Sequence, residues 1–450
     1  MISFKAIHKL ELASFIGQRA HQFAVGLADQ GLSVGGMFLV NVALARTQTK
    51  EDYGTFALSY SIFTFLAGLQ NAAVLEPFTV YGSGRYQGSF APYLRLMLRS
   101  SVIASLCLSA GLLLTCLVFR AVAPSLNSPP LLGLALTVSF ILTGSFVRRS
   151  FYVIRQPALA AKTSLVFFTT VALLLWLAAK ARELNGFSAF LILALGWVIA
   201  SAASVRKLPS DNAPNGFLES EPHYWREHWT YTRWVLATAF VFQFMHQGYY
   251  WLVAGFLSVR EVGELKAMYV LIAPVEQVMI SISLLFLPIL AAKYAARNMA
   301  AFSSLWKRYA SLMMGITVIF ALSVRAVGSR VIHILYGGKF DELAPMLFLL
   351  ALVPVLMGFG STVSDAIRAA EKPRLVFYAY VSSALATLLL GVPSVRYFGL
   401  RGAVYGMLLS AAAYTGALAL AFRLHVHKRI APAVTDVYSP EQPLPSSEVL

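Results

Sequence analysis

Glu276 stands in the middle of LIAPVEQVMI, with Pro274 two residues before it and apolar side chains on both sides. A proline within a helix removes a backbone donor and frees a carbonyl, which opens the local structure to water or to a partner. An ionised carboxylate among apolar neighbours is costly, so Glu276 is a candidate for proton exchange during a reaction cycle. The alternative is a neutral carboxyl bonded to a neighbouring helix as packing glue. Asp29, in the first apolar run, and Glu76, at the end of the second, join Glu276 as ion-coupling candidates.

A second constellation is polar but uncharged. In VFQFMHQGYYW, Gln243, His246, Gln247 and Tyr250 follow i, i+3, i+4, i+7 and share one helical face. Amide and phenol groups suit sugar hydroxyls, and His246 can carry a proton. The same stripe could equally be a tight helix–helix seam built on amides. Asp29, Gln30, Ser33 and Asn41 interrupt the first apolar run, Asp29 and Ser33 sharing a face, and Arg46 stands where that run ends. Tyr60, Thr64 and Asn71 lie roughly on one face of the second run, which meets Glu76-Pro77 at its far end. Arg46 and Glu76 can also be read as interfacial caps. Trp225, Trp229, Trp234, Trp306 and Tyr309 fall near run ends, as an interfacial aromatic belt would place them.

These residues need elements to hold them, and composition says which. Of 450 residues, 58% are hydrophobic and 12% charged, about half the charge of an average soluble domain. The charges cluster between apolar runs of about 20 residues, long enough to cross a hydrocarbon core of roughly 30 Å as helix. Twelve spans are predicted, at about 24–45, 54–75, 99–119, 130–147, 160–179, 186–205, 233–257, 265–290, 308–327, 343–365, 375–395 and 401–423. The net charge of +16 is spread singly between spans, which is a topology signal and not a nucleic-acid-binding face. Cys107 and Cys116 share one run nine positions apart, so neither a disulfide nor a metal pair is expected. No metal or other cofactor is expected either. The opening MISFKAIHKLELASF, broken by Lys5, Lys9 and Glu11, is not expected to be a cleaved signal peptide.

Alternate joints carry unequal charge. Two-thirds of the 36 Lys and Arg residues lie on the side of the N-terminus, the 206–232 loop and the C-terminus, which places these in the cytoplasm. The chain then divides into a six-helix lobe at 1–205, a cytoplasmic linker at 206–232, a second six-helix lobe at 233–424 and a disordered Pro/Ser/Glu-rich tail at 425–450. Both lobes start on the same side, so an internal repeat would be parallel. Echoes support one: Glu51-Asp52-Tyr53-Gly54 with Tyr60 beyond it, against Glu261-Val262-Gly263 with Tyr269, each followed by a proline, Pro77 and Pro288. Phosphate-binding glycine loops, nucleophile elbows and HExxH motifs are missing from the sequence, so no enzyme activity is expected.

The stretch LADQGLSVGGMFLVNVALARTQTKEDYG…LEPFTVYG resembles polysaccharide-biosynthesis exporters of the O-antigen flippase type. These belong to the multidrug/oligosaccharidyl-lipid/polysaccharide (MOP) exporter superfamily. YGGKF at Tyr336–Phe340, the Arg368–Pro373 exit and GLRGA at Gly399–Ala403 extend the likeness over about residues 15–425. The resemblance implies an all-α, MATE-like fold of two six-helix lobes around a cavity lined by helices 1, 2, 7 and 8. It implies a bacterial inner-membrane protein that flips a polyprenyl-diphosphate-linked oligosaccharide outward, among membrane lipids and beside a glycan polymerase and export machinery. A cytoplasm-negative potential would help an anionic headgroup outward, by about 2.3 kcal/mol per charge per 100 mV. The alternatives are a cation-coupled multidrug exporter of the same fold and a membrane-embedded glycan polymerase or ligase.

Overall fold

A computed structural model describes residues 4–83, 86, 89–122, 128–209 and 224–427, with side chains described from 24 to 425 apart from 224–227. Most of the expected 206–232 linker and 425–450 tail, and the side chain of Trp225, lie outside the described residues. The described chain is helical, with no strand among the described residues. α1 runs Phe4–Thr47 and α2 Lys50–Gln70, the latter continuing through a π-helical turn at Asn71–Leu75 into Glu76–Ser83. α3 (Phe90–Val122), α4 (Pro129–Val153), α5 (Pro157–Lys180) and α6 (Gly186–Ser204) follow. Then come α7 (Tyr224–Phe256), α8 (Val259–Ala295), α9 (Met299–Tyr336), α10 (Ala344–Ala369), α11 (Pro373–Ala386) and α12 (Val392–Phe422).

Short joints with strong start signals explain the boundaries. The Thr49 side chain accepts the Asp52 N–H, and Glu51 and Asp52 place negative charge in the first turn of α2. Asn185 and Ser188 form a reciprocal capping box at α6. Prolines open α4, α5 and α11, where the missing N–H costs nothing.

By length and composition, ten helical segments among the described residues could cross a membrane. α7 is outside that set because its Gln, His, Tyr and Trp residues lower its hydropathy. The last segment, Pro373–His425, has 53 residues, about 80 Å of helix and too much for one crossing. It breaks at Gly399, where φ 60°, ψ −138° is a conformation open to glycine. The segments before and after Gly399, 373–398 and 400–425, are thus long enough for one crossing each, and they match the predicted spans at about 375–395 and 401–423 of a multi-pass membrane protein. Large apolar side chains such as Leu114, Leu117, Leu284 and Leu389 point outward, as a lipid-facing surface requires.

One expectation about α2 needs correction. The helix does not end at Glu76-Pro77 but runs on to Ser83. The Glu76 N–H donates to the Asn71 carbonyl, an i→i−5 bond that widens the turn just ahead of the proline ring and absorbs it. α8 likewise passes through Pro274 and Pro288 without ending.

Packing divides the chain into two compact units: Met1–Leu271 with Ser329–Ala344 and Val395–Ala403, and Ile272–Gly328 with Pro345–Ser394 and Val404–Leu450. The first unit includes α7, which lies along α2. In the first unit α4 packs along α6 and α3, and α1 along α5. Phe78, Tyr93, Phe146 and Phe151 fill the space between α2, α3 and α4. In the second unit hydroxyls hold the helices together: the Ser383 Oγ donates to the Ser410 carbonyl (2.8 Å) and the Thr415 Oγ1 to the Leu356 carbonyl (3.0 Å).

Candidate functional site

Asp29 is fully buried on α1 and accepts from three donors. Arg148 Nη1 (2.7 Å) and Tyr152 Oη (2.5 Å) reach its Oδ2, and Ser164 Oγ (2.5 Å) reaches its Oδ1. Arg148 and Tyr152 are four residues apart on α4, so one helical face delivers both. The carboxylate is neutralised and saturated by its own chain, which leaves it little capacity to hold a further cation.

The seventh-helix stripe meets α2 in the same unit. A Cβ on Gly68 would overlap the Gln243 side chain, and Trp251 Nε1 donates to Ser61 Oγ (2.9 Å). Phe65 stands edge-on to both Phe240 and Trp251. Gln243 is therefore in the interhelical seam. His246 packs on the Phe242 ring at 4.3 Å, and Gln247 is half-buried. Tyr250 is buried, and together with Tyr60 it flanks Lys266 of α8. The ammonium lies 4.1 Å from the Tyr60 ring centroid and 5.6 Å from that of Tyr250. The structure thus joins the candidates on α2 and α7 through a buried lysine that the sequence reading did not single out.

The other candidates scatter. Asn41 is buried, bonded to the Met37 carbonyl and to Tyr53 Oη. Thr64 Oγ1 donates to its own helix at the Tyr60 carbonyl, Asn71 is exposed, and Gln30 and Ser33 are half-buried. The Arg46 side chain is exposed. Glu76 accepts from Tyr231 Oη at 3.3 Å. Glu276 is half-buried in the second unit, whereas Asp29 and Glu76 belong to the first.

At the end of the first unit that carries the α1–α2 joint, three helix joints clasp: α1–α2, α7–α8 and α9–α10. Lys50 bridges Glu264 (3.2 Å) and Glu342, while Arg260 bonds the same Glu264 at 3.3 Å. Lys339 returns the contact, donating to the carbonyls of Ala45 (3.1 Å), Arg46 (3.0 Å) and Gln48. Burial, and the neighbouring Lys50 charge, hold the Lys339 ammonium below the usual lysine range. Under this clasp Gly54 and Gly263, the paired glycines of the sequence echo, pack face to face. A Cβ on Gly54 would overlap the Val259 carbonyl, and one on Gly263 would lie 2.6 Å from the Lys50 carbonyl.

The second unit has its own buried carboxylate, Asp365, whose Oδ2 accepts from Ser283 Oγ (2.6 Å) and Tyr309 Oη (2.8 Å). Tyr309 is fully buried and stacked on Phe286 at 4.5 Å. Trp306 donates to the Thr362 carbonyl at 3.2 Å and stacks on Phe422. Both are internal packing residues, not members of an aromatic belt, because each has a polar handle satisfied inside the unit. Trp229 and Trp234 are exposed, as a belt requires.

Three signals were available for the residues missed. Lys266 stands at the start of the predicted 265–290 span, two residues after Glu264. Arg148 is one of two adjacent arginines at the end of the predicted 130–147 span, and Lys339 belongs to YGGKF. None of these signals names its partner, because the partners come from distant helices.

Solved membrane-transporter structures share this many-helix fold. A multidrug resistance MATE family transporter of the MOP superfamily, in an inward-facing conformation, matches with a TM-score of 0.69 at 14% identity, covering 92% of this chain and all of that one. The lipid II flippase MurJ, in an inward closed conformation, matches with a TM-score of 0.68 at 14% identity, covering 93% of this chain and 94% of that one. A MOP superfamily transporter from Pyrococcus furiosus, described as having a binding pocket of reversed polarity, gives 0.64 at 12% identity over 91% and 95%. Neither a family model nor a curated protein sequence matches the chain. The chain therefore has the fold of MOP superfamily transporters, and its structural neighbours are transporters and flippases, not enzymes.

Proposed function

We propose that this protein flips a polyprenyl-diphosphate-linked oligosaccharide from the cytoplasmic to the periplasmic leaflet of a bacterial inner membrane, for surface or exopolysaccharide synthesis. The observation that carries the reading is Lys266 between the rings of Tyr60 and Tyr250. An ammonium supplies a point charge for a diphosphate, and the flanking phenols supply aromatic faces and hydroxyls for the adjoining sugar. The tyrosine rings stabilise the buried cation meanwhile. MurJ, a lipid II flippase, shares the fold. A glycan polymerase is the partner such a flippase would feed.

Cation-coupled drug export is the second reading, favoured by the MATE neighbours. It asks for a carboxylate open to a cation, and Asp29 is already saturated by Arg148, Tyr152 and Ser164. The test is flipping of a fluorescent polyprenyl-diphosphate saccharide in proteoliposomes, scored by access of a membrane-impermeant quencher. Lys266→Met should slow flipping at least tenfold while Lys266→Arg retains most of it. Unchanged flipping by Lys266→Met, or pH-driven ethidium transport without saccharide flipping, would overturn the proposal.

A further inference from the structure

The last carbonyls of a helix have no intrahelical donor and carry the negative end of its dipole. At the end of α1 the carbonyls of Ala45 and Arg46, with that of Gln48 just beyond the helix, converge on the Lys339 ammonium. An ammonium has three N–H donors and no acceptor, so three carbonyls match it one for one. The delivery is equally specific. Gly337 (φ 63°) and Gly338 (φ 85°) turn the chain after α9 through left-handed backbone. On one side Tyr336 Oη donates to the Ala267 carbonyl (2.8 Å), and on the other Phe340 is buried edge-on to Tyr53. Lys339 is thus pinned at both shoulders with its ammonium in the cradle.

We propose that the carbonyl end of α1 is an ammonium-binding cradle, that Lys339 is its resident ligand, and that its occupancy holds this end of the first unit shut over the Gly54–Gly263 crossing. The surface of α2 just beyond that crossing is sealed: Ala57, one turn on from Gly54, is fully buried. A transporter must open each end in turn, and the cradle is what has to empty here. The proposal rests on the transporter fold and not on the nature of the cargo.

The test places the single cysteine Ala57→Cys in a background lacking Cys107 and Cys116. The full chain, in lipid nanodiscs, is labelled with a charged thiol reagent and no substrate. With Lys339 present the thiol should react slowly. Lys339→Ala should raise the rate at least tenfold, and methylammonium at tens of millimolar should lower it again. Tetramethylammonium, which has charge but no N–H, should not. Lys180→Ala, at the end of α5, serves as a control and should leave the rate unchanged. Lys339→Gln keeps two N–H donors without the charge. It should give a smaller rise, and it carries the comparison if the alanine variant elutes as aggregate. No rise in either variant, or equal suppression by both ammonium ions, would overturn the cradle. Since the assay contains no saccharide, that outcome would leave the flippase reading standing.

Discussion

At the residue scale, Asp29 and Arg148 show how a charge can be affordable inside a bundle. Neither group is solvated well: Asp29 is fully buried and only 12% of the Arg148 side chain is exposed. Removing one member of such a pair leaves the other charge uncompensated, a cost of about 3–5 kcal/mol, whereas replacing both with apolar groups is often neutral. Asp29→Asn is therefore expected to lower the thermal unfolding midpoint in detergent sharply. Asp29→Leu/Arg148→Met should recover most of that loss. If the double variant were as unstable as Asp29→Asn, the pair would have a role beyond mutual compensation. The sequence showed Asp29 as an anomaly in an apolar run, but it did not show what satisfied it, since Arg148 is 119 positions away.

At the element scale the informative contact is between α2 and α8. The repeated tyrosine-glycine pattern suggested two related helices, and the structure crosses them at the two glycines. Because the Val259 carbonyl occupies the place of a Gly54 Cβ, even a methyl group must force the helices apart. Gly54→Ala and Gly263→Ala should each raise labelling of a cysteine at Ala57 several-fold. Gly248→Ala, in open space on α7, should leave it unchanged. Equal reactivity of all three would show that the crossing does not seal this end. The π turn before Pro77 is a second feature that only coordinates reveal, because propensity marks the proline as a break and cannot register a widened turn ahead of it.

For the whole molecule, topology is the quantity that residue counts address most directly. From the Lys and Arg asymmetry we propose that the N-terminus, the 206–232 loop and the C-terminus are cytoplasmic, with the α1–α2 joint outside. In intact cells a cysteine at Thr49 should react with an impermeant thiol reagent, and one at Asn212 should stay protected. The reverse pattern would invert the direction of transport proposed above. Inversion would also move the Lys339 cradle to the inner face.

What the sequence determined by itself was the solvent and the period. Apolar runs of about 20 residues, broken by charged or Pro/Gly joints, specify membrane-crossing helices, because a bilayer offers the backbone no hydrogen-bond partner except its own chain. That constraint is local, so the twelve helices were legible one window at a time. Partnership is not local. Lys266 with Tyr60, Arg148 with Asp29, Lys339 with the end of α1, and Tyr309 with Asp365 each join different helices. Polar residues within one helix can be placed on a face from spacing alone, as Gln243 and Gln247 were. Whether that face meets a glycine, a ring or a charge depends on the neighbour that packs against it, and only the tertiary structure decided that.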